Sequence, residues 1–457
     1  MSPSKELMLS EHELALATDF YELTMAAAYF NADQLDRQAV FEAFVRKLPR
    51  NRSYMVAAGL EQVLEYIRNL TFTEDQISYL QSLDTFKHVP GEFFDYLRRF
   101  RFTGDLWAVD EGTVLFPNEP FIRVEAPIIE AQILETYLLS VMNFESLIAT
   151  KASRIVNAAG GRDVVEFGFR RAHGPHAALL AARASFVGGC VGTSNTLAAY
   201  KLGIPAFGTM AHSFVMNFEN ELDAFTEFNK VFSHGFLLVD TYDTIEAVKK
   251  IVQAKIPAAG IRLDSGDLHF LSVECRRILD AAGYTDSKIM ASGDLNEYII
   301  RDLVDRGAPI DVFGVGTELV TSRDDPALNG VYKLTAIKVP AAEGKYRVQH
   351  RIKTSPGKKT HPGPKQVFRI VENSMLKTDI VGFEDEPTPE NSTPLLKKYM
   401  EGGRVVRQLP SLKEIQQLHQ EQIMMLPCEF TDLGVTVNIF PVRFSDRLEA
   451  AIQQFKV

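Results

Sequence analysis

Seven short apolar runs cross the middle of the chain, each closing on glycine or a small polar residue. They are DVVEFG (163–168), ASFVGGCVGTS (184–194), IPAFGTMAHS (204–213), GFLLVDTYDT (235–244), AGIRLDSGD (259–267), KIMASGD (288–294) and DVFGVGTEL (311–319). The closing residues Gly168, Thr193, His212, Asp240, Asp264, Gly293 and Gly316 lie 19 to 29 residues apart. Segments with helical spacing stand between them: NTLAAYKL, NFENELDAFTEFNKVF, IEAVKKIVQA, FLSVECRRILDAAG and LNEYIIRDLVDRG. Short apolar strands alternating with helices read as βα units around a parallel sheet. Seven units at this spacing predict a (β/α) barrel rather than an open sheet.

The flanks carry a different pattern. Helical stretches (DFYELTMAAAYF, GLEQVLEYIRNL) mix with strand-like FEAFV and the meander GDLWAVDEGTVLFPNEPFIRVEAP, and a long helix is expected from Pro127 to Ala149. After Tyr332 come the strand-like KLTAIKV, YRVQHRI and KQVFRIV, then a helical, proline-punctuated tail. The economical arrangement inserts the barrel between two chain segments that together build an α+β domain.

Composition narrows the class. At 457 residues, 46% apolar and 24% charged, the chain has room for two or three domains with buried cores. These values exclude a collagenous, low-complexity or disordered chain. A net charge of −10 argues against a nucleic-acid-binding stripe while leaving room for a small basic pocket. Cys190, Cys275 and Cys428 are single and far apart, which indicates neither a zinc cage nor a disulfide framework. No apolar run reaches the ~18 residues of a membrane span, and the first residues show no cationic leader. A soluble, cytoplasmic protein is therefore expected, without membrane or nucleic-acid partners. One stretch runs against the net charge: Gly344 to Val371 holds eight cations and no acidic residue. It could face an anionic ligand or form a solvated hairpin.

In a barrel the ligand site lies at the C-terminal ends of the strands, so the closing residues of each run carry the candidate chemistry. Phe167-Gly168-Phe169-Arg170-Arg171 offers guanidiniums that could fork onto a carboxylate or phosphate, or pair with surface acids. Gly192-Thr193-Ser194-Asn195 reads first as a helix N-cap. His212, at the end of GTMAHS and flanked by hydroxyls, could act as a base or accept a phosphoryl group. Strand alternation puts Arg262 and Asp264 on one face, and the acidic pair in RLDSGD could hold Mg²⁺ or simply form a turn. Gly293-Asp294 and Gly314-Val315-Gly316-Thr317 follow, and loops after the last strands of a barrel often bind phosphate. His173 and His176 read as structural, since no further ligand stands nearby. The set fits a phosphorylated sugar with a metal.

Several segments carry a resemblance over nearly the whole chain: TDFYELTMAAAYF, EFGFRRAHGP, GGCVGTSN, GTMAHSFV, RLDSGD, SGD, FGVGTELVTS, GVYKL, KTSPGKKTHPGPKQVFR and the tail from PSLKEI to FPVRFSDRL. In this order they resemble the nicotinate phosphoribosyltransferase family of type II phosphoribosyltransferases. The resemblance implies an α/β fold: an irregular (β/α) barrel (126–334) plus an α/β-sandwich domain built from 1–125 and from 335–457. It implies a homodimer whose active site is shared across the interface. The implied reaction joins nicotinate and phosphoribosyl pyrophosphate into nicotinate mononucleotide and pyrophosphate, with Mg²⁺ (or Mn²⁺) and with ATP hydrolysed alongside. His212 matches the phosphohistidine. Tyr21, Thr209, Arg262, Arg170 and Phe167 match nicotinate-binding positions, with Tyr21 reaching across the dimer. Thr317, Gly316, Asp264, Gly293 and Asp294 match the phosphoribosyl site, and Asp264 and Asp294 are the candidate metal contacts through pyrophosphate. Two alternatives stand beside it. A nicotinamide phosphoribosyltransferase would carry an aspartate where Ser194 stands, and a carboxylate there would repel nicotinate. A non-catalytic pyridine-metabolite-binding relative would be expected to lose His212 or RLDSGD.

Overall fold

The computed structural model describes residues 10–233, 235–341, 346–355, 358–434 and 437–455. Gly344 and Lys345 of the basic stretch fall outside them. Six short strands form a parallel sheet in the order Gly192–Thr193, Asp163–Glu166, Val312–Val315, Lys288–Ala291, Gly260–Leu263 and Phe236–Leu238. Ile261, Leu263, Ile289, Ala291, Phe313 and Val315 are buried in one apolar core. The polar residues that close the runs also start the next helices. The side chains of Asn195, Asp243, Asp267 and Asn296 accept backbone N–H bonds at the N-termini of helices Thr196–Leu202, Thr244–Gln253, Leu268–Ala281 and Glu297–Asp305. Each such cap satisfies donors a helix cannot satisfy internally.

Three expectations need correction. ASFV is the end of helix Pro175–Val187 and not part of a strand; only Gly192–Thr193 of that run joins the sheet. A four-residue apolar run cannot by itself distinguish a buried helix end from a buried strand. IPAFGTMAHS contributes a single bridge, Thr193 to Ala206, held by Thr193 N–H to the Pro205 carbonyl and Phe207 N–H to the Thr193 carbonyl. The barrel is thus irregular on this side, and a cavity of about 570 Å³ is lined there by Gly208, Thr209, Phe228, Phe232 and Gly235. The long helix is really Ile128–Ile133 followed by Glu135–Ala158.

Both chain ends meet in a seven-stranded antiparallel sheet ordered Tyr346–His350, Gly330–Pro340, Gln38–Val45, Pro120–Pro127, Asp105–Ala108, Lys397–Glu401 and Arg404–Val405. Gln38–Val45 pairs with Gly330–Pro340 along its whole length, which closes the chain around the barrel. A second, four-stranded sheet comprises Ser392–Pro394, Lys365–Glu372, Met375–Phe383 and Val442–Phe444. Helix Glu135–Ala158 belongs to both cores: Leu138 and Leu147 pack with the N-terminal domain, Ala152 and Ile155 with the barrel.

The basic stretch is not one patch. Lys365 is buried, with its ammonium 2.7 Å from Glu42, and Arg369 is buried on Asp379. These two cations hold the fold, whereas Lys353, Lys358 and Lys359 are exposed.

Candidate functional site at the strand ends

Arg262 is the hub. Its Nη2 donates to Asp264 Oδ1 at 2.7 Å, Nη1 to the Thr209 hydroxyl at 2.9 Å and Nε to the Ser292 hydroxyl at 2.9 Å. Ser292 in turn donates to Asp264 Oδ1 at 2.5 Å. Two neighbouring strand ends are thereby tied to the GTMAHS loop, and the guanidinium lies 5.7 Å from the centre of the Phe167 ring. Alternation along Gly260–Leu263 makes this possible, because Leu263 points into the core while its neighbours face the mouth.

His212 begins a short helical turn, His212–Met216. Its Nδ1 is 3.1 Å from the Thr241 hydroxyl and its Nε2 is 3.9 Å from Asp264 Oδ2. Burial alone would raise the Asp264 carboxyl, but hydrogen bonds from Ser292 and Arg262, the Arg262 charge and His212 together hold it below the ordinary value. Asp264 is therefore a carboxylate at neutral pH. Asp240 supports it from the adjacent strand end: its Oδ2 accepts the Asp264 N–H at 3.0 Å and the Ser265 hydroxyl at 2.6 Å. The other Asp240 oxygen is buried with no hydrogen-bond partner among the described residues.

Close backbone approach shapes the loops that follow the strands Lys288–Ala291 and Val312–Val315. Gly293 has φ +92°, and a Cβ there would sit 2.1 Å from the Asp264 carbonyl oxygen. Asp294 follows at φ +45°, exposed at the mouth. A Cβ on Gly314 would strike the Phe167 ring at 2.6 Å, so this glycine lets the aromatic ring lie across the strand. Gly316 and Thr317 are half-buried after the last strand. Behind Phe167, the buried Glu166 carboxylate accepts the Gly168 N–H and, at 2.5 Å, the Thr193 hydroxyl. Burial pushes this carboxyl up against those two bonds.

The structure brings Thr209, Arg262, Asp264, His212 and Phe167 together. Arg170 sits exposed in the turn Phe169–Arg171, on the same loop as Phe167. Tyr21 lies elsewhere: it is 46% exposed on helix Phe20–Asn31, which packs on Ile128–Ile133 in the other domain. His173 and His176 are exposed. Sequence reasoning missed Asp240, Thr241, Ser292 and Glu166 as working parts. Their signal was present, since each closes or follows an apolar run, but a polar residue there also serves as a turn or cap.

Comparison with known proteins now decides the class. Three family models cover the chain in order: the nicotinate phosphoribosyltransferase N-terminal domain over residues 16–143, the nicotinate phosphoribosyltransferase family over 163–375 and the C-terminal domain over 388–451. The chain belongs to the nicotinate phosphoribosyltransferase family. It is 44% identical to nicotinate phosphoribosyltransferase pncB2 of Mycobacterium tuberculosis, over 98% of this chain and 96% of that one. It is 40% identical to nicotinate phosphoribosyltransferase of Bacillus subtilis, over 96% and 95%. Among solved structures, human nicotinic acid phosphoribosyltransferase superposes with TM-score 0.83 at 27% identity, covering 96% of this chain and 100% of that one. Nicotinate-nucleotide pyrophosphorylase of Pyrococcus furiosus gives 0.72 at 26%, covering 92% and 98%. The α/β family fold, an irregular barrel beside a domain made from both chain ends, is the one described above. No helix among the described residues is long and apolar enough to cross a membrane.

Proposed function

We propose that this protein transfers the phosphoribosyl group of phosphoribosyl pyrophosphate to nicotinate, forming nicotinate mononucleotide and pyrophosphate in NAD biosynthesis, with ATP hydrolysed through His212. The observation that carries the reading is the Arg262 hub: a guanidinium with one carboxylate partner, beside an aromatic ring and a histidine, at the barrel mouth. A nicotinate carboxylate can displace the Thr209 hydroxyl on Arg262, because a charge-assisted bond is the stronger one. Phe167 supplies a ring face for the pyridine, and Arg170 a second cation beside it. Tyr21, exposed on its own domain, fits a homodimer in which one copy's Tyr21 enters the other copy's site.

The phosphoribosyl half goes to the loops after the last strands. Gly316 and Thr317 bind the 5-phosphate through a backbone N–H and a hydroxyl, while Asp264, Gly293 and Asp294 line the ribose. Departure of pyrophosphate leaves positive charge on the sugar, which the carboxylates at the mouth stabilise. The pyridine nitrogen then attacks C1, and since it carries no proton no general base is required. Among the described residues no group of three His, Cys, Asp or Glu side chains could hold a metal by itself. The donor set still fits Mg²⁺ or Mn²⁺ that arrives on pyrophosphate, which takes one or two carboxylates together with phosphate oxygens. Asp264 and Asp294 would hold it, and the unpartnered Asp240 oxygen lies at the neighbouring strand end. Such an ion supplies charge neutralisation of the leaving group.

With its proton on Nδ1 and donated to Thr241, His212 presents the Nε2 lone pair. That nitrogen attacks the γ-phosphorus of ATP as the bond to ADP breaks. Water later cleaves the N–P bond, returning phosphate and the free imidazole. The test is product formation from nicotinate or nicotinamide, with and without ATP, in wild type and His212→Ala. Wild type should prefer nicotinate and be stimulated by ATP; H212A should keep slow transfer and lose the stimulation. ATP hydrolysis in step with product by H212A would remove the phosphohistidine. Activity with nicotinamide alone would overturn the substrate.

A further inference from the structure

Behind the two loops assigned to the phosphoribosyl group lies a buried ion network that the reaction as described does not use. Lys151, on the shared helix Glu135–Ala158, is 1% exposed. Its ammonium is 2.6 Å from Glu297 Oε2, 2.9 Å from Asp324 Oδ1 and 4.0 Å from Glu318 Oε2. Glu297 opens the helix that follows Gly293-Asp294, three residues after Asp294. Glu318 is the residue after Thr317, and Asp324 lies shortly beyond it. One ammonium thus joins carboxylates from both sugar-facing loops.

Three other cations complete the network. Arg52 of the N-terminal domain forks onto Asp324 at 2.6 and 3.0 Å and donates to Ser322 at 3.1 Å. Arg154, one helical turn on from Lys151, donates to Glu297 at 3.2 Å and to the Tyr298 hydroxyl at 3.2 Å. Arg323 meets Glu318 from the solvent side at 3.4 Å. Three carboxylates directly behind a phosphate loop would repel an incoming phosphate. The buried cations cancel them, and the separation of the two loops is fixed by a rigid helix rather than by the loops themselves. Among the described residues, the hydrogen bonds and ion pairs of Lys151, Glu297, Glu318 and Asp324 include none to Thr209, Arg262 or Phe167.

We infer that Lys151 is a positioning residue for the phosphoribosyl half of the site: through Glu297 and the Glu318–Asp324 segment it sets the spacing and charge of the two loops. This rests on the phosphoribosyl assignment made above. The test is initial-rate kinetics of the full-length enzyme with both substrates varied, in wild type, Lys151→Met and Lys151→Arg. K151M should raise the KM for phosphoribosyl pyrophosphate by about tenfold or more, as small misplacements of binding groups do. The KM for nicotinate should stay within about twofold, and K151R, which keeps the charge, should recover part of the loss. Should K151M fail to fold, Glu318→Gln at the network's 13%-exposed edge should give the same split at a smaller size. Equal changes in both KM values, or a lowered unfolding temperature with neither KM moved, would overturn the inference. Wild type unable to use phosphoribosyl pyrophosphate would instead remove the functional reading beneath it.

Discussion

Two arginines in this molecule make similar bonds and do opposite things. Arg183 is 1% exposed and is surrounded by carboxylates. It forks onto Glu111 at 2.7 and 2.8 Å, and reaches Glu145 at 3.1 Å and Glu61 at 2.8 Å. Arg262, 16% exposed, has one carboxylate, Asp264, and donates otherwise to the hydroxyls of Thr209 and Ser292 and, at 3.4 Å, to the Met210 carbonyl. The buried arginine is oversupplied with negative charge and joins two domains, since Glu111 also accepts the Gly59 and Leu60 N–H groups. The arginine at the mouth is undersupplied, and its hydroxyl partners can be exchanged for a ligand's carboxylate. On the proposed reading, function sits where charge pairing is incomplete and water can reach.

The sharpest way to break that comparison is to remove each guanidinium in turn. Arg183→Met leaves Glu111 and Glu145 buried without their cation, and stripping one partner from a buried pair costs about 3–5 kcal/mol. Denaturant unfolding should show a loss of that size, and a loss below about 1 kcal/mol would mean the cluster is not a structural joint. Arg262→Lys keeps the charge and loses the fork. The KM for nicotinate should rise by about 10–100-fold, equivalent to about 1.4–2.8 kcal/mol, with unfolding little changed. A comparable rise in the KM for phosphoribosyl pyrophosphate would move Arg262 onto the phosphates.

The two clusters should also respond to pH with opposite sign. Burial, with the charges of Glu111 and Glu61 adding to it and Arg183 opposing, pushes the Glu145 carboxyl from 4.5 up to about 8. The folded protein therefore holds a proton that the unfolded chain releases, so this group's stabilisation is full below pH 4.5 and declines as pH rises to about 8. Asp264 is shifted downward; its stabilisation is present above its unfolded value of 3.8 and is lost as pH falls through the lower folded value. Unfolding temperatures of wild type and Glu145→Gln at pH 5.5, 7 and 8.5, a range in which Asp264 stays ionised, isolate the Glu145 contribution. The decline across that range should be smaller in E145Q, and an identical slope would place the proton on another group.

Legibility in the sequence followed the range of the interactions. The strand ends could be read because an apolar run that stops at a polar residue is a local signal, and Arg262 and Asp264 share a face by alternation alone. Partners distant along the chain could not be read: Lys151 and Asp324 are 173 residues apart, and Arg183 and Glu61 are 122. The same blindness shortened the long helix. Its second half, ATKASRIVNA, carries Lys151, Ser153 and Arg154, which pattern as solvent-facing although all three are buried. Asp240 and Ser292 look like ordinary turn residues until the barrel places them beside Asp264.

A third arginine isolates what burial contributes. Arg98 contacts two carboxylates with good geometry: Nε lies 3.0 Å from Glu74 and Nη1 lies 2.6 Å from Asp95. By distance alone it resembles Arg183, and in number of carboxylate partners it exceeds Arg262. Its side chain is 33% exposed, however, and its partners are 71% and 58% exposed. Water screens such pairs, and holding long side chains in one geometry consumes much of the gain. Arg98→Met should therefore leave the unfolding midpoint and both KM values indistinguishable from wild type, in low salt and in high. A clear loss of stability in R98M would show that bond geometry, rather than desolvation, separates the three arginines. The contrast between the domain joint and the barrel mouth would then have to be rebuilt on distance.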